Sequence, residues 1–144
     1  MTLAISCDVL VAGRSATFGY PEIDLGLVPA IHFVHLPRIV GRHRAFEILF
    51  SGRSFGADEA HSLGLASRVV PDEKVRDEAR AMARIFAAKP RTAMRFGRAA
   101  FLRVNDLDYR SGIADAVENF CNVAATADAR EGVRAFVEKR SPNW

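Results

Sequence analysis

The chain has 144 residues, 49% of them hydrophobic and 26% charged, with a net charge of +3, the composition of one globular domain able to bury a core. So mild a charge permits an anionic partner without demanding nucleic acid, and no apolar run approaches the ~20 residues that a membrane-spanning helix needs. The apolar opening, Met1 to Ala12, lacks a basic leading region and carries Asp8, so it does not read as a secretory signal and the expected compartment is the cytoplasm.

The residues from Thr2 to Ser6 fit either a strand or the end of a helix. Two short strands are expected next, Asp8 to Ala12 and Ala16 to Phe18, punctuated by Gly13 and then by Gly19 and Pro21. From Leu36 onward the pattern becomes helical, with apolar residues recurring between Arg44 and Phe50, and a short helix from Ala57 to Leu63 closed by Gly64. Leu65 to Val70 predicts another strand. Asp72, after Pro71, reads as the N-cap of a helix whose buried face is Val75, Ala79, Met82 and Phe86, and which stops near Lys89 and Pro90. The last third is helical. Ile113, Ala116, Val117, Phe120, Cys121 and Ala124 form an apolar stripe that needs a partner surface, and Asp128 with Glu131 resembles a capping box opening a final helix through Phe136. Cys7 and Cys121 stand far apart in apolar-periodic surroundings and read as buried free thiols. Strand-rich residues followed by helix-rich ones predict an α/β or α+β fold.

Glu22 is the residue that asks for chemistry, because it sits among apolar residues between glycine and proline breaks. Desolvation raises the pKa of a carboxylate in apolar surroundings, which suits a general acid or base near neutral pH. A carboxylate capping backbone N–H groups, or facing solvent, fits the same spacing, and the same choice applies to Asp24. His32 and His35, three apart, could share a metal, but no third ligand is evident and ordinary packed or exposed histidines fit as well. The arginine stripes Arg76, Arg80, Arg84 and Arg91, Arg95, Arg98 read first as solvated faces, then as contacts for the phosphates of an anionic ligand, and last as a nucleic-acid surface.

Taken in order, Cys7-Asp8, the run from Phe18-Gly19-Tyr20-Pro21-Glu22 to Pro29, Leu36-Pro37-Arg38, Ser51-Gly52-Arg53, Ala57-Asp58-Glu59-Ala60, Leu63-Gly64-Leu65, Arg68-Val69-Val70-Pro71 and the close from Glu131-Gly132 to Lys139-Arg140 resemble the crotonase (enoyl-CoA hydratase/isomerase) superfamily over the whole chain, as its C-terminal half. The resemblance implies an α/β fold: residues 1–71 as part of a spiral of ββα units, and residues 72–144 as a helical region used for trimerisation. It implies an acyl-CoA thioester as substrate, no cofactor beyond the CoA of that substrate, no metal, no nucleic-acid or membrane partner, and a homo-oligomer, a trimer or a dimer of trimers. Glu22 matches the family's general acid/base, and Pro21, Phe136 and Lys139 match substrate-contacting positions. A second glutamate of the hydratases is matched by Thr2, which cannot act as a carboxylate base, whereas some isomerases of the family work with one glutamate at the Glu22 position. Both backbone donors of the family's oxyanion hole are expected upstream of Met1. The expected activity is that of an acyl-CoA lyase or isomerase with Glu22 as proton shuttle, inactive as 144 residues alone. The alternative is a non-catalytic fragment or degenerate paralogue that oligomerises through its helices.

Overall fold

A computed structural model describes all 144 residues, Met1–Trp144, and the chain divides into two compact units, Met1–Ala81 and Met82–Trp144. In the first unit, helix α1 (Thr2–Ile5) leads to strands β1 (Val11–Gly13) and β2 (Thr17–Gly19), a 3-10 helix (Pro21–Leu25), helices α2 (His32–Val40) and α3 (Arg42–Ser51), strand β3 (Ser54–Gly56), helix α4 (Ala57–Ser62) and strand β4 (Arg68–Val70). β1 pairs with β4 in parallel, Ala12 opposite Val69. β2 pairs with β3 antiparallel, Phe18 opposite Phe55, and the two rings stack at 5.8 Å.

The strands are shorter than the apolar runs predict, and the backbone shows why. The N–H groups of Leu65 and Ala66 both donate to the carbonyl of Ala60, at 2.9 and 3.0 Å, so both residues close the end of α4. They are buried there, and their apolar character serves the core instead of a ladder. β3 carries no sequence signal of its own beyond one buried residue, Phe55. Helix α2 begins before Leu36, because His32, Leu36 and Val40 recur every fourth residue on its buried face.

Asp72 does not cap a helix as expected. It begins a 3-10 turn, Asp72–Lys74, ahead of α5 (Val75–Ala87), and its Oδ1 accepts from the Ser15 N–H at 3.0 Å. The hydrogen bonds from Ser15 hold its carboxyl below the usual range. They also explain Gly13, where a side-chain carbon would run into the Asp72 carboxylate.

The second unit contains the end of α5 and helices α6 (Arg91–Val104), α7 (Tyr109–Ala124) and α8 (Ala127–Val137). Asp108 caps α7, its Oδ1 accepting from the N–H groups of Arg110 and Ser111 at 3.0 and 3.1 Å. The cap of α8 is Thr126, whose Oγ1 accepts from the Ala129 N–H at 3.2 Å, and not Asp128. Asp128 sits inside the first turn and accepts from the N–H of Thr92, at the start of α6, at 3.0 Å. Glu131 is held by Arg134, Arg140 and the Asn143 N–H, and these contacts, Arg140 foremost, keep its carboxyl far below the usual range.

The expected buried stripes are only partly covered within this chain. On α5, Val75 and Met82 are half-buried while Ala79 and Phe86 are exposed, and α7 buries none of its residues. Cys7 and Cys121 are free but exposed, contrary to the sequence reading. Ile5 and Leu10, on either side of Cys7, pack against the core while the thiol itself turns outward, and Cys121 lies on α7, with its open stripe.

Candidate functional site

Glu22 is the second residue of the 3-10 helix, which Pro21 opens with its preset φ. Gly26, with φ +72, ends that helix in the left-handed conformation that a side chain disfavours. The Leu27 N–H then reaches back to the Glu22 carbonyl at 3.0 Å. The backbone of Glu22 is thereby pinned on both sides. Its Oε2 is buried and has no hydrogen-bond partner.

Two other side-chain atoms share that condition, the Tyr20 hydroxyl and His32 Nδ1. They belong to the same place. The Tyr20 and His32 rings lie 4.4 Å apart, tilted at 55°, and the other imidazole nitrogen, Nε2, meets Thr2 Oγ1 at 2.9 Å. Glu22 is close enough for its charge to act on both: burial first, then Glu22, pushes the Tyr20 hydroxyl up to about 12, so it stays a neutral donor. Burial holds His32 below its ordinary value, with Glu22 pulling the other way and His35 adding to the lowering. His32 is therefore a neutral imidazole near pH 7, at 3% exposure.

Buried polar atoms are rarely left unpaired, because each forgoes its hydrogen bonds to water. Three such atoms in one neighbourhood, a carboxylate oxygen, a phenol and an imidazole nitrogen, make a site fitted to a polar group that is not part of this chain. A carboxylate so placed can take a proton from a bound molecule and return it.

Pro21 and Glu22 are adjacent in this site. Phe136 is 84% exposed and belongs to the second unit, as does Lys139, which has φ +53 just beyond α8. His35 is exposed where His32 is buried, and no group of three or more His, Cys, Asp and Glu stands together as a metal site. The arginines of α5, Arg76, Arg80 and Arg84, are exposed. Sequence reasoning missed Tyr20 and the Thr2–His32 pair. The available signal was the i, i+4, i+8 series His32, Leu36, Val40, which places a histidine on an otherwise apolar buried face.

The enoyl-CoA hydratase/isomerase family model matches residues 1–144. A probable enoyl-CoA hydratase of Mycobacterium bovis is 38% identical over 143 residues, covering 99% of this chain and 56% of its own length. The 2,3-dehydroadipyl-CoA hydratase of Escherichia coli is 36% identical with the same coverage. Among solved structures, an enoyl-CoA hydratase of Mycobacterium smegmatis superposes with a TM-score of 0.94 at 42% identity, over 99% of this chain and 55% of that one. Human enoyl-CoA hydratase domain-containing protein 3 gives 0.91 at 34% identity, over 99% and 56%. The chain thus spans about half the length of the relatives it matches, and it shares their α/β, helix-rich fold.

Proposed function

The chain belongs to the enoyl-CoA hydratase/isomerase family, and from that premise we propose that it is the C-terminal half of a crotonase-type acyl-CoA lyase or isomerase, acting on a 2- or 3-enoyl-CoA with Glu22 as the proton-transferring group. The observation that carries this reading is the Glu22 carboxylate, pinned by Pro21 and Gly26 with one buried oxygen left unpaired. A carboxylate oxygen that no group of the chain engages is available to exchange a proton with a bound acyl chain. The names of the relatives, hydratases of CoA thioesters among them, support the substrate class. Pro21 lies beside the acyl chain, and Phe136 and Lys139 serve the CoA portion. No cofactor is needed beyond the CoA of the substrate.

The thioester carbonyl needs preorganised donors as negative charge develops on it, and this reading assigns them to the half of the fold that the chain does not span. The 144 residues alone are therefore expected not to turn over crotonyl-CoA. No helix is long and apolar enough to cross a membrane, and we place the protein in the cytoplasm. Glu22→Gln in the full-length protein tests the reading: kcat should fall by about 10²- to 10⁴-fold while acyl-CoA affinity is largely kept. An unchanged kcat clears Glu22 of the role.

A second part of the proposal is a homotrimer or dimer of trimers assembled through residues 72–144. The exposed stripe of α7, with Ile113, Val117 and Phe120 open to solvent, favours it. The same stripe would serve a non-catalytic paralogue that only assembles. Turnover of an enoyl-CoA by the full-length protein separates the two.

A further inference from the structure

The three unpaired buried atoms are not explained by Glu22 acting alone. A single proton shuttle needs its carboxylate and leaves no task for an imidazole that is 97% buried, tied at one nitrogen and open at the other. Thr2 holds Nε2 at 2.9 Å and the Tyr20 ring lies against the imidazole, so the ring orientation is set, and in the tautomer whose Nε2–H donates to Thr2 Oγ1 the Nδ1 lone pair is the acceptor. Nδ1 is the only part of the ring still unused.

We propose that His32 is the second proton-handling group of the Glu22 site, its Nδ1 and the Glu22 Oε2 holding one water molecule that is added to the acyl chain. This rests on the acyl-CoA reading and decides between its two chemistries in favour of hydration. Thr2 is then not a lost carboxylate but the tether of the base. In the reaction the water oxygen bonds to one alkene carbon as His32 Nδ1 takes a water proton; the imidazolium passes that proton to the Glu22 carboxylate, which delivers it to the neighbouring carbon. Neutral His32 and ionised Glu22 are thereby restored without any other reactant. A neutral imidazole, which burial favours here, is the form that can accept that proton. Tyr20, kept protonated, contributes a donor to the same water or to the new hydroxyl.

The test uses the full-length protein and four variants, His32→Asn, His32→Ala, Thr2→Val and Thr2→Ser. Asparagine places a polar atom where Nδ1 stands but cannot carry a proton. His32→Asn should therefore lower kcat for hydration about 100-fold with KM within about threefold, and added imidazole should recover part of the activity of His32→Ala. Thr2→Val should cost about tenfold, with Thr2→Ser close to wild type. Nitrogen-15 NMR of His32 supplies a readout that needs no turnover: Glu22→Gln should move its titration to lower pH, since the carboxylate's charge raises it. A folded His32→Asn protein with wild-type kcat overturns the role of His32, as does a His32 titration indifferent to Glu22→Gln. Failure of the wild-type protein to hydrate or isomerise any enoyl-CoA overturns the acyl-CoA reading itself, and the His32 role falls with it.

Discussion

In Met1–Ala81, Tyr20, Leu36, Ala45 and Ala60 are wholly buried with Ile48 and Leu49 close behind, whereas in Met82–Trp144 the buried residues are two alanines, Ala100 and Ala135, and Phe120 is 72% exposed. Both stretches have apolar residues at helical spacing. The difference teaches that an amphipathic pattern states only that a face is apolar, not that the same chain covers it. The first unit wraps its helices around two short strand pairs and closes a core. The second joins its helices by caps and charges, such as the paired bonds from Arg103 to Asp115 at 2.9 and 2.8 Å, and leaves the large apolar side chains outside. Exposed apolar residues of this kind suit the self-association proposed for this unit.

The largest effect that would sharpen this contrast is a cavity in the first core. Ile48→Ala should cost about 2–5 kcal/mol in urea denaturation, and a cost below about 1 kcal/mol would show that the core is looser than its burial indicates. Phe120→Asp, by contrast, should change the stability of an unassembled chain by no more than about 0.5 kcal/mol while abolishing self-association in light scattering. A wild-type chain that is monomeric and cooperatively folded at tens of micromolar would break the comparison, since the second unit would then be stable with its stripe open. Next comes Thr126→Ala, which removes the cap of α8 and should cost about 1 kcal/mol, read as a lowered thermal midpoint; no change would mean that Glu131 and its arginines hold that helix end by themselves.

The smallest expected effect is on pH dependence, and it belongs to the first unit. Burial lowers the folded-state pKa of His32, so the unfolded chain binds its proton first. Stability from this group is complete above the unfolded value of about 6.5 and is lost as pH falls from there through the folded value. His32→Asn should flatten that acid-side decline. A decline of unchanged steepness in the variant would assign it to other groups.

Much of the site was legible from local pattern. Pro21 and Glu22 stand out in a line of residues because a charge between a glycine and proline break has no place in a core, and Gly64 and Gly26 announce helix ends through the backbone angle that they alone adopt easily. The expectation that Asp72 and Asp128 cap helices failed for a physical reason. An aspartate before a helix has the right reach for the cap, but a backbone N–H brought in from elsewhere, Ser15 in one case and Thr92 in the other, competes for the same carboxylate oxygens.

The amino-acid sequence by itself determined the helices, the family and the carboxylate at the centre of the site, since each is written in neighbouring residues whose propensities and spacings act locally. The tertiary structure alone decided that Thr2 meets His32 across 30 positions of chain, that Tyr20 lies against that ring, and that three polar atoms are buried together without partners. No local rule reports such a meeting, because it depends on how α1, the 3-10 helix and α2 come together once the apolar residues of the first unit have been withdrawn from water.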